Sequence, residues 1–424
     1  MTRYELDLGK LHHDHYDKPL PEIYDLKTRF DHTYIIGKTG KGKSTLMENM
    51  ALYDINYGAS VIFIDPSGLS CRKLYHMTKD KSRVTYISIE SPKIINPINK
   101  EGYTLDTLIQ EFIQVLDVLI TLTASNPEST VLMREIINMA MRSITKPENK
   151  HIKYITELLL YKDEREKLLG ELLKAGKTEE HRYWKEFDEM EYKYPRNKEK
   201  QESAKRVAAR LMEISTGEMT DFVIGPNEVD LNDIVDTGKV ILVDTSRMNH
   251  NSKIYLSNLL VYAVLSYSEY SNNKFLREPK PLLVYVDEFS IVVSKLFEEL
   301  LAKSRKSAVG FVLAHQNFGQ IPDRILDTII GNADTLISFT CGDVEAARLS
   351  KILSVSPREL MDLDPYTAWI RLGRNNLRTE LHEPILDFTP DLPLITISPK
   401  ASEQVYEYWF LADEEDCWHF FEKM

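Results

Sequence analysis

The 424-residue sequence is long enough for two or three domains, and its 43% of hydrophobic residues suffices for a sizeable core. A formal net charge of −12 disfavours a surface that is basic throughout, so any contact with nucleic acid must come from a local basic patch or an interior channel. No apolar run approaches the ~20 residues that cross a bilayer, and the first residues lack a signal-peptide pattern. We therefore expect a cytoplasmic protein without an integral membrane segment, in which Cys71, Cys341 and Cys417 are packing residues.

The first 30 residues form an N-terminal segment, followed by a short apolar run over residues 32–36 that predicts a buried strand. A metal site could be imagined in this segment at His12, His13, Asp14 and His15. Adjacent ligands without partners at helical or hairpin spacing are more typical of a solvent-exposed loop. After the strand, apolar residues at helical spacing predict a helix that stops near Gly58.

The glycine-rich stretch between that strand and that helix matches the phosphate-binding loop pattern G-x-x-x-x-G-K-[ST] over residues 37–45. Glycines allow backbone N–H groups to turn inward toward a triphosphate, Lys43 can reach the β- and γ-phosphates, and the Ser44 hydroxyl can ligate Mg²⁺. The sequence therefore predicts an ATP and Mg²⁺ site, whose nucleotide contacts come from Gly37, Thr39, Gly40, Lys41, Gly42, Lys43, Ser44 and Thr45.

Strand and helix patterns alternate up to residue 103, which predicts an α/β fold with a mainly parallel sheet. The apolar run that ends in Asp65 predicts a second buried strand, and residues 84–89 predict another. Asp65 is then expected at the carboxyl edge of the sheet, near the nucleotide.

From residue 104 the period becomes helical and stays so to about residue 217. The first apolar residues lie on one helix face by their spacing: Leu105, Leu108, Phe112, Val115 and Leu119. Charged residues are abundant in the second part of this stretch. They favour solvent-exposed helices stabilised by i,i+4 ion pairs. The alternative, more specific interpretation is an inserted helical domain whose basic residues contact nucleic-acid phosphates. These residues would be Arg196, Lys198, Lys200, Lys205, Arg206 and Arg210.

The α/β alternation returns at residue 226, with predicted strands over residues 240–244 and 282–287 and a helix over residues 252–270 between them. The later strand ends in Asp287 and Glu288, which has the form of a Walker B segment. Asp287 is expected to complete the Mg²⁺ site together with Ser44, and Glu288 to act on the attacking water.

Two further polar residues are candidates for catalysis. Gln316 follows a predicted strand over residues 309–315, where its amide could hydrogen-bond the lytic water and a phosphate oxygen. Arg305 lies in a basic helix pattern and has the planar, permanent charge of an arginine finger, although a surface helix arginine is the alternative. Strand patterns at residues 334–340 and 367–372 complete the α/β part, which ends near residue 395. Residues 396–424 form a C-terminal tail of aromatic and acidic residues, either a docking tail or a packed terminal helix.

These motifs together resemble the HerA/FtsK superfamily of P-loop motors, and within it the conjugative coupling ATPases of type IV secretion systems. The resemblance rests on the two Walker segments and on five shorter motifs over residues 30–375: Asp65-Pro66, Asn96-Pro97, Arg305-Lys306, His315-Gln316 and Gly331-Asn332-Ala333. It implies a RecA-like nucleotide-binding domain, here over residues 31–103 and 226–395, that carries an all-helical domain over residues 104–225.

The resemblance also implies an ATP-hydrolysing DNA translocase that acts as a homo-hexameric ring. In such a ring, Glu288 polarises water, Gln316 senses the γ-phosphate, and Arg305 reaches the neighbouring subunit's site as a finger in trans. Coupling ATPases usually carry N-terminal membrane helices, which this sequence lacks, so peripheral attachment to a membrane would require partners.

Our hypothesis from the sequence is a DNA pump that binds DNA without sequence preference and acts in a conjugation-like DNA transfer. A partner protein would recruit this pump. The alternatives are a viral genome-packaging or DNA-repair motor of the same superfamily, and an ATP-gated assembly or docking factor for a protein substrate.

Overall fold

The computed structural model describes residues 9–11, 29–100, 103–121, 129–189, 197–273, 280–292, 297, 300–301, 304–373 and 375–381. Its strands are β1 (Gly9–Leu11), β2 (Thr33–Ile36), β3 (Ser60–Asp65), β4 (Val84–Ile87), β5 (Val240–Asp244), β6 (Leu282–Val286), β7 (Val309–His315), β8 (Thr335–Ser338), β9 (Thr367–Leu372) and β10 (Asn375–Leu381). These strands form one 10-stranded sheet in the order β1-β10-β9-β8-β2-β7-β6-β3-β5-β4.

The helices are α1 (Lys43–Tyr57), α2 (Leu69–Met77), α3 (Leu105–Thr121), α4 (Ser129–Arg142), α5 (Ile152–Leu160), α6 (Lys162–Lys174), α7 (Thr178–Phe187), α8 (Asn197–Glu213), α9 (Thr220–Val223), α10 (Leu231–Thr237), α11 (His250–Asn273), α12 (Asp323–Asn332), α13 (Asp343–Leu353) and α14 (Pro357–Met361). In the described ranges, no helix is both long and apolar enough to span a bilayer.

The sheet is parallel from β4 through β8 and antiparallel from β8 to β1. The predicted α/β fold with a mainly parallel sheet is therefore confirmed. Because parallel strands place their carboxyl ends along one edge, the residues that follow β2, β3, β6 and β7 meet there. That edge carries the candidate site described below.

Strand β3 shows how the sheet divides the core. Its side chains alternate, so that Val61 and Phe63 pack on the face with α1, whereas Ile62 and Ile64 pack on the other face. All four side chains are fully buried, as expected of a strand that helices cover on both faces.

The chain between β4 and β5 is helical in its longer elements, α3 to α10, and its apolar residues continue the core of one sheet face. Asn96 holds the beginning, middle and end of this region together, because its side-chain amide donates to the carbonyl oxygens of Lys150 (2.7 Å) and Gly225 (2.6 Å). The division into a RecA-like domain and an inserted helical domain, with an N-terminal segment and a C-terminal tail, stays a prediction.

The face of α3 differs in one respect from the predicted one. Leu108 and Phe112 are buried as the spacing predicts, but Leu105 is 42% exposed, because it occupies the first position of the helix. Val115 and Leu119 have side chains outside the described residues.

Two strands on the antiparallel side of the sheet, the edge strand β1 and its neighbour β10, were not predicted. β1 has three residues and pairs antiparallel with β10, which in turn pairs with β9. A three-residue strand lacks the alternation that a sequence pattern needs, so β1 can be found only through its partner.

Candidate nucleotide-binding site

A polar cavity of about 380 Å³ opens at the carboxyl edge of β2, β3, β6 and β7. Its volume falls in the range of ligand pockets in proteins, ~300–1,000 Å³. It is lined by Thr39, Gly40, Gly42, Lys43, Ser44, Thr45, Asp65, Pro66, Ser67, Lys253, Asp287, Glu288, Gln316 and Tyr366. Most of the predicted site residues are therefore brought together here.

The glycine-rich loop between β2 and α1 requires its glycines for two reasons. Gly40 and Gly42 adopt φ angles of 74° and 110°, a left-handed conformation that L side chains rarely take. At Gly37 the reason is crowding, because an added Cβ would lie 2.6 Å from Phe339 Cβ. The loop is also tied to the neighbouring strand end, since Lys38 N donates to Thr340 O over 2.8 Å.

Lys43 opens helix α1 and turns its side chain back into the loop. Its Nζ donates to Gly37 O (2.7 Å) and Lys38 O (3.0 Å), and only 7% of the residue is exposed. Burial lowers the pKa of Lys43, while the nearby carboxylates of Asp287 and Glu288 oppose this shift. The ammonium is thus held where a phosphate chain wrapped by the loop would lie.

Ser44 and Asp287 connect the loop with the end of β6. Ser44 Oγ donates to Asp287 Oδ2 over 2.8 Å, and Asp287 N donates to Ile64 O of the adjacent strand over 3.1 Å. Burial raises the pKa of Asp287, and the hydrogen bond from Ser44 opposes this. A hydroxyl and a carboxylate at this distance form the kind of oxygen pair to which Mg²⁺ binds when phosphates supply its other ligands, so these residues fit that ion.

Glu288 and Gln316 continue the polar chain across the cavity. Gln316 Nε2 donates to Glu288 Oε1 (2.9 Å), and Thr39 Oγ1 donates to Gln316 Oε1 (2.9 Å). Glu288 adopts a φ of 50°, which is uncommon for a residue with a side chain. Such strained backbone conformations cluster at active sites and ligand-binding sites. The loop, the β7 end and the β6 end are therefore linked by direct hydrogen bonds.

Asp65 lines the cavity, as its position at a strand end predicts, but its carboxylate is occupied. Its oxygens accept hydrogen bonds from Ser67 N (2.8 Å), Ser70 N (2.8 Å) and Cys71 N (3.2 Å). Backbone N–H groups in a first helical turn need such acceptors, so Asp65 fixes the start of α2.

Lys253 and Tyr366 line the cavity without any motif to mark them. Lys253 lies in the first turn of α11, about 200 residues from the loop, and its Nζ donates to Pro66 O over 3.1 Å. Tyr366 has a φ of 59°, and its N–H donates to Lys41 O over 3.2 Å. A basic residue in the first turn of a predicted helix was the only local signal for Lys253, because that position disfavours positive charge.

The remaining predicted residues are placed less completely. Arg305 begins a short 3₁₀ turn, Arg305–Ser307, but its side chain lies outside the described residues, so the arginine finger stays a prediction. The histidine-rich segment at residues 12–15, Cys417 and the C-terminal tail also lie outside them. Cys71 and Cys341 are buried thiols, as predicted. Within the described ranges, no group of three His, Cys, Asp or Glu side chains is arranged to hold a metal.

Comparison with known proteins identifies the family. The sequence model of the helicase HerA central domain matches residues 22–264, which is more than half of the chain. The chain belongs to the HerA central-domain family. The predicted relationship to HerA-type P-loop proteins is therefore confirmed. No curated protein sequence gives a significant match.

Solved structures share the fold of this HerA-family chain. The bacterial conjugative coupling protein TrwBdeltaN70 superposes with a TM-score of 0.65 at 15% identity, over 90% of each chain. The plasmid coupling protein TrwB in complex with ADP and Mg²⁺ gives 0.65 at 16% identity, again over 90% of each chain. VirB4 of Thermoanaerobacter pseudethanolicus gives 0.58 at 16% identity, over 90% of this chain and 96% of that one. At these identities the likeness concerns the fold.

Proposed function

We propose that this protein binds and hydrolyses Mg·ATP at the cavity beside the glycine-rich loop. The observation that carries the proposal is the hydrogen bond from Ser44 to Asp287, which joins a complete phosphate-binding loop to a Walker B strand end. Membership in the HerA family supports it, as do the TrwB structures, one of which is a complex with ADP and Mg²⁺.

The residues divide the work of phosphoryl transfer. The loop N–H groups and Lys43 would hold the β- and γ-phosphates, and Ser44 and Asp287 would hold Mg²⁺. When bound, Mg²⁺ neutralises the charge that develops on the transferred phosphoryl group. Glu288 orients the attacking water and accepts a hydrogen bond from it, while Gln316, fixed by Thr39 and Glu288, contacts the γ-phosphate.

We further propose that hydrolysis drives movement of DNA through a homo-hexameric ring, in which Arg305 completes the neighbour's site. Support comes from the HerA family and from the shared fold of coupling proteins. The basic residues of α8 would contribute phosphate contacts only in part, because three of them have acidic partners. These pairs are Lys200 with Glu135, Arg206 with Glu202, and Arg210 with Glu213.

ATP turnover measured with and without DNA tests this function. We expect hydrolysis by the full chain in Mg²⁺, stimulation by DNA of any sequence, and a stimulation that declines as salt rises, because phosphate contacts release counterions. Lys43→Ala should remove turnover in both conditions. Hydrolysis that no length or strandedness of DNA stimulates would instead favour the ATP-gated assembly factor, and no hydrolysis at all would contradict the enzyme.

Mixing two inactive variants tests the ring. Arg305→Ala lacks the finger and Glu288→Gln lacks the water-orienting carboxylate, so a mixed ring contains some sites with both groups intact. We expect part of the activity to return in the mixture. Mixtures that stay inactive at every ratio would contradict an arginine that acts in trans.

A further inference from the structure

Lys253 lies on the Walker B side of the cavity. Its Nζ donates to the carbonyl oxygen of Pro66, directly after β3. Strand β3 is the neighbour of β6 in the sheet, and the backbone of Asp287 is hydrogen-bonded to Ile64 of β3. Lys253 therefore lines the cavity together with Asp287 and Glu288, and its ammonium lies at the end of β3, the strand next to the one that ends before Asp287.

The ammonium group of Lys253 has hydrogen-bond donors that a ligand could use. Of the contacts described in this structure, its single hydrogen bond goes to a neutral carbonyl, and no carboxylate of the described ranges forms an ion pair with it. An ammonium has three N–H donors, so two can still be directed to oxygen atoms of a ligand. Lys73 on α2 offers the contrast, because its Nζ pairs with Glu48 Oε2 at 3.2 Å.

The position of Lys253 on its helix points the same way. The first turn of α11 contains no acidic residue, and the helix begins at His250. A positive side chain at the positive end of a helix dipole destabilises the helix, whereas the side chain and the dipole both attract an anion. A lysine at this place favours ligand binding at the expense of the helix.

We propose that Lys253 contacts the γ-phosphate of ATP from within the same subunit and stabilises the charge that develops on it during hydrolysis. The inference rests on the proposed function and adds a catalytic cation to it. In this role Lys253 donates hydrogen bonds to γ-phosphate oxygens and transfers no proton. The ammonium supplies in cis what Arg305 is proposed to supply in trans.

Binding of ATP and ADP to variants of the full chain separates this role from a structural one. Lys253→Met keeps the length of the side chain without its charge, and Lys253→Arg keeps the charge. Because only ATP has a γ-phosphate, we expect Lys253→Met to weaken ATP binding by ~10-fold, which corresponds to the loss of one charge-assisted hydrogen bond. The affinity for ADP should stay within about twofold of the wild-type value. Lys253→Arg should restore part of the ATP affinity, and the midpoint of thermal unfolding should not fall.

The matched control is Lys73→Met, which removes a lysine outside the cavity and should change neither affinity. If Lys253→Met weakens ATP and ADP equally, or binds both as the wild type does, the inference is wrong while the nucleotide site stands. If the wild type binds neither nucleotide, the proposed function fails, and this inference fails with it.

Discussion

The two ends of helix α1 use polar groups in opposite ways. At its start, Lys43 and Ser44 face an open cavity. Toward its end, the Asp54 carboxylate is fully buried and is bonded by the Arg29 guanidinium and the Tyr285 hydroxyl. Because Tyr285 lies two residues before Asp287 on β6, the closed network and the open cavity are joined by the same helix and the same strand.

This difference separates groups that serve function from groups that serve stability. In the buried network, bidentate bonds from Arg29 satisfy Asp54, although burial still raises the pKa of this carboxyl group well above its ordinary value. In the cavity, Lys43 is held by carbonyl oxygens that a phosphate can replace. Substitutions at the start of α1 should thus change ligand binding, and substitutions at its end should change the free energy of unfolding.

The largest expected effect is that of Glu288→Gln on turnover. The amide keeps a hydrogen bond with Gln316 but lacks the negative charge that orients and polarises the attacking water, so ATP hydrolysis should fall by about 10³-fold with ATP affinity retained. Steady-state hydrolysis and equilibrium binding measure the two quantities. Equal hydrolysis rates for Glu288→Gln and the wild type would remove Glu288 from its proposed role.

Asp54→Asn should be the most destabilising change of the buried network. It removes the carboxylate that accepts the bidentate hydrogen bonds of the buried Arg29 guanidinium, which costs about 3–5 kcal/mol of unfolding free energy, measured by urea denaturation. Glu166→Gln is the control, because its pair with Lys162 is about 60% exposed on both sides and contributes at most ~0.5 kcal/mol. Similar losses in both variants would show that burial does not distinguish the pairs.

Acid should weaken the fold through His315, which lies at the end of β7 beside Gln316. Burial lowers the pKa of His315 to about 3, and its Nδ1 is 3.0 Å from the Tyr34 hydroxyl. Between pH 6.5 and 3 the unfolded state binds a proton that the folded state does not, so stability is complete above pH 6.5 and declines below it. The loss should reach about 2 kcal/mol at pH 5.

Urea denaturation at pH 7.5 and 5.0 measures this loss. His315→Gln should reduce the difference between the two pH values, whereas a change at the exposed His250 should leave it as in the wild type. An unchanged difference in His315→Gln would assign the acid sensitivity to other groups.

The smallest expected effects come from the two glycines that flank α1. Gly58 ends the helix with a φ of 96°, and no atom lies within 4 Å of an added Cβ. Gly58→Ala should therefore lower the free energy of unfolding by about 1 kcal/mol, the cost of a left-handed backbone conformation for alanine. Gly42 has a φ of 110°, and an added Cβ would lie 2.9 Å from a ring carbon of Tyr366. Gly42→Ala should therefore also weaken ATP binding, whereas Gly58→Ala should not. Equal ATP affinities in the two variants would contradict this assignment.

The parts of the fold that sequence could predict are those with a local signal. Strand β3 and the strand that delivers Asp287 are continuous apolar runs, and the glycine-rich loop stands between a strand and a helix pattern. Strand β1 could not be predicted, because three residues carry no period and its partner β10 is about 370 residues away.

The same limit applies to the site. Lys43, Ser44 and Asp287 belong to motifs in which residue type and spacing follow from phosphate and Mg²⁺ chemistry. Lys253 and Tyr366 reach the cavity through the path of the folded chain, and the only local signal for either is the basic charge of Lys253 in the first turn of its helix. Arg29 and Asp54 likewise meet across 25 residues, and neither is marked by its neighbours.

Calorimetric titration of Mg·ATP into the wild type and Lys43→Ala tests the central claim most directly. The account predicts saturable binding to the wild type and a loss of at least ~10²-fold in affinity for Lys43→Ala, about 2.7 kcal/mol, with an unchanged unfolding midpoint. Absence of binding to the wild type, or equal affinities for the two proteins, would contradict the claim that the start of α1 is built for a nucleotide.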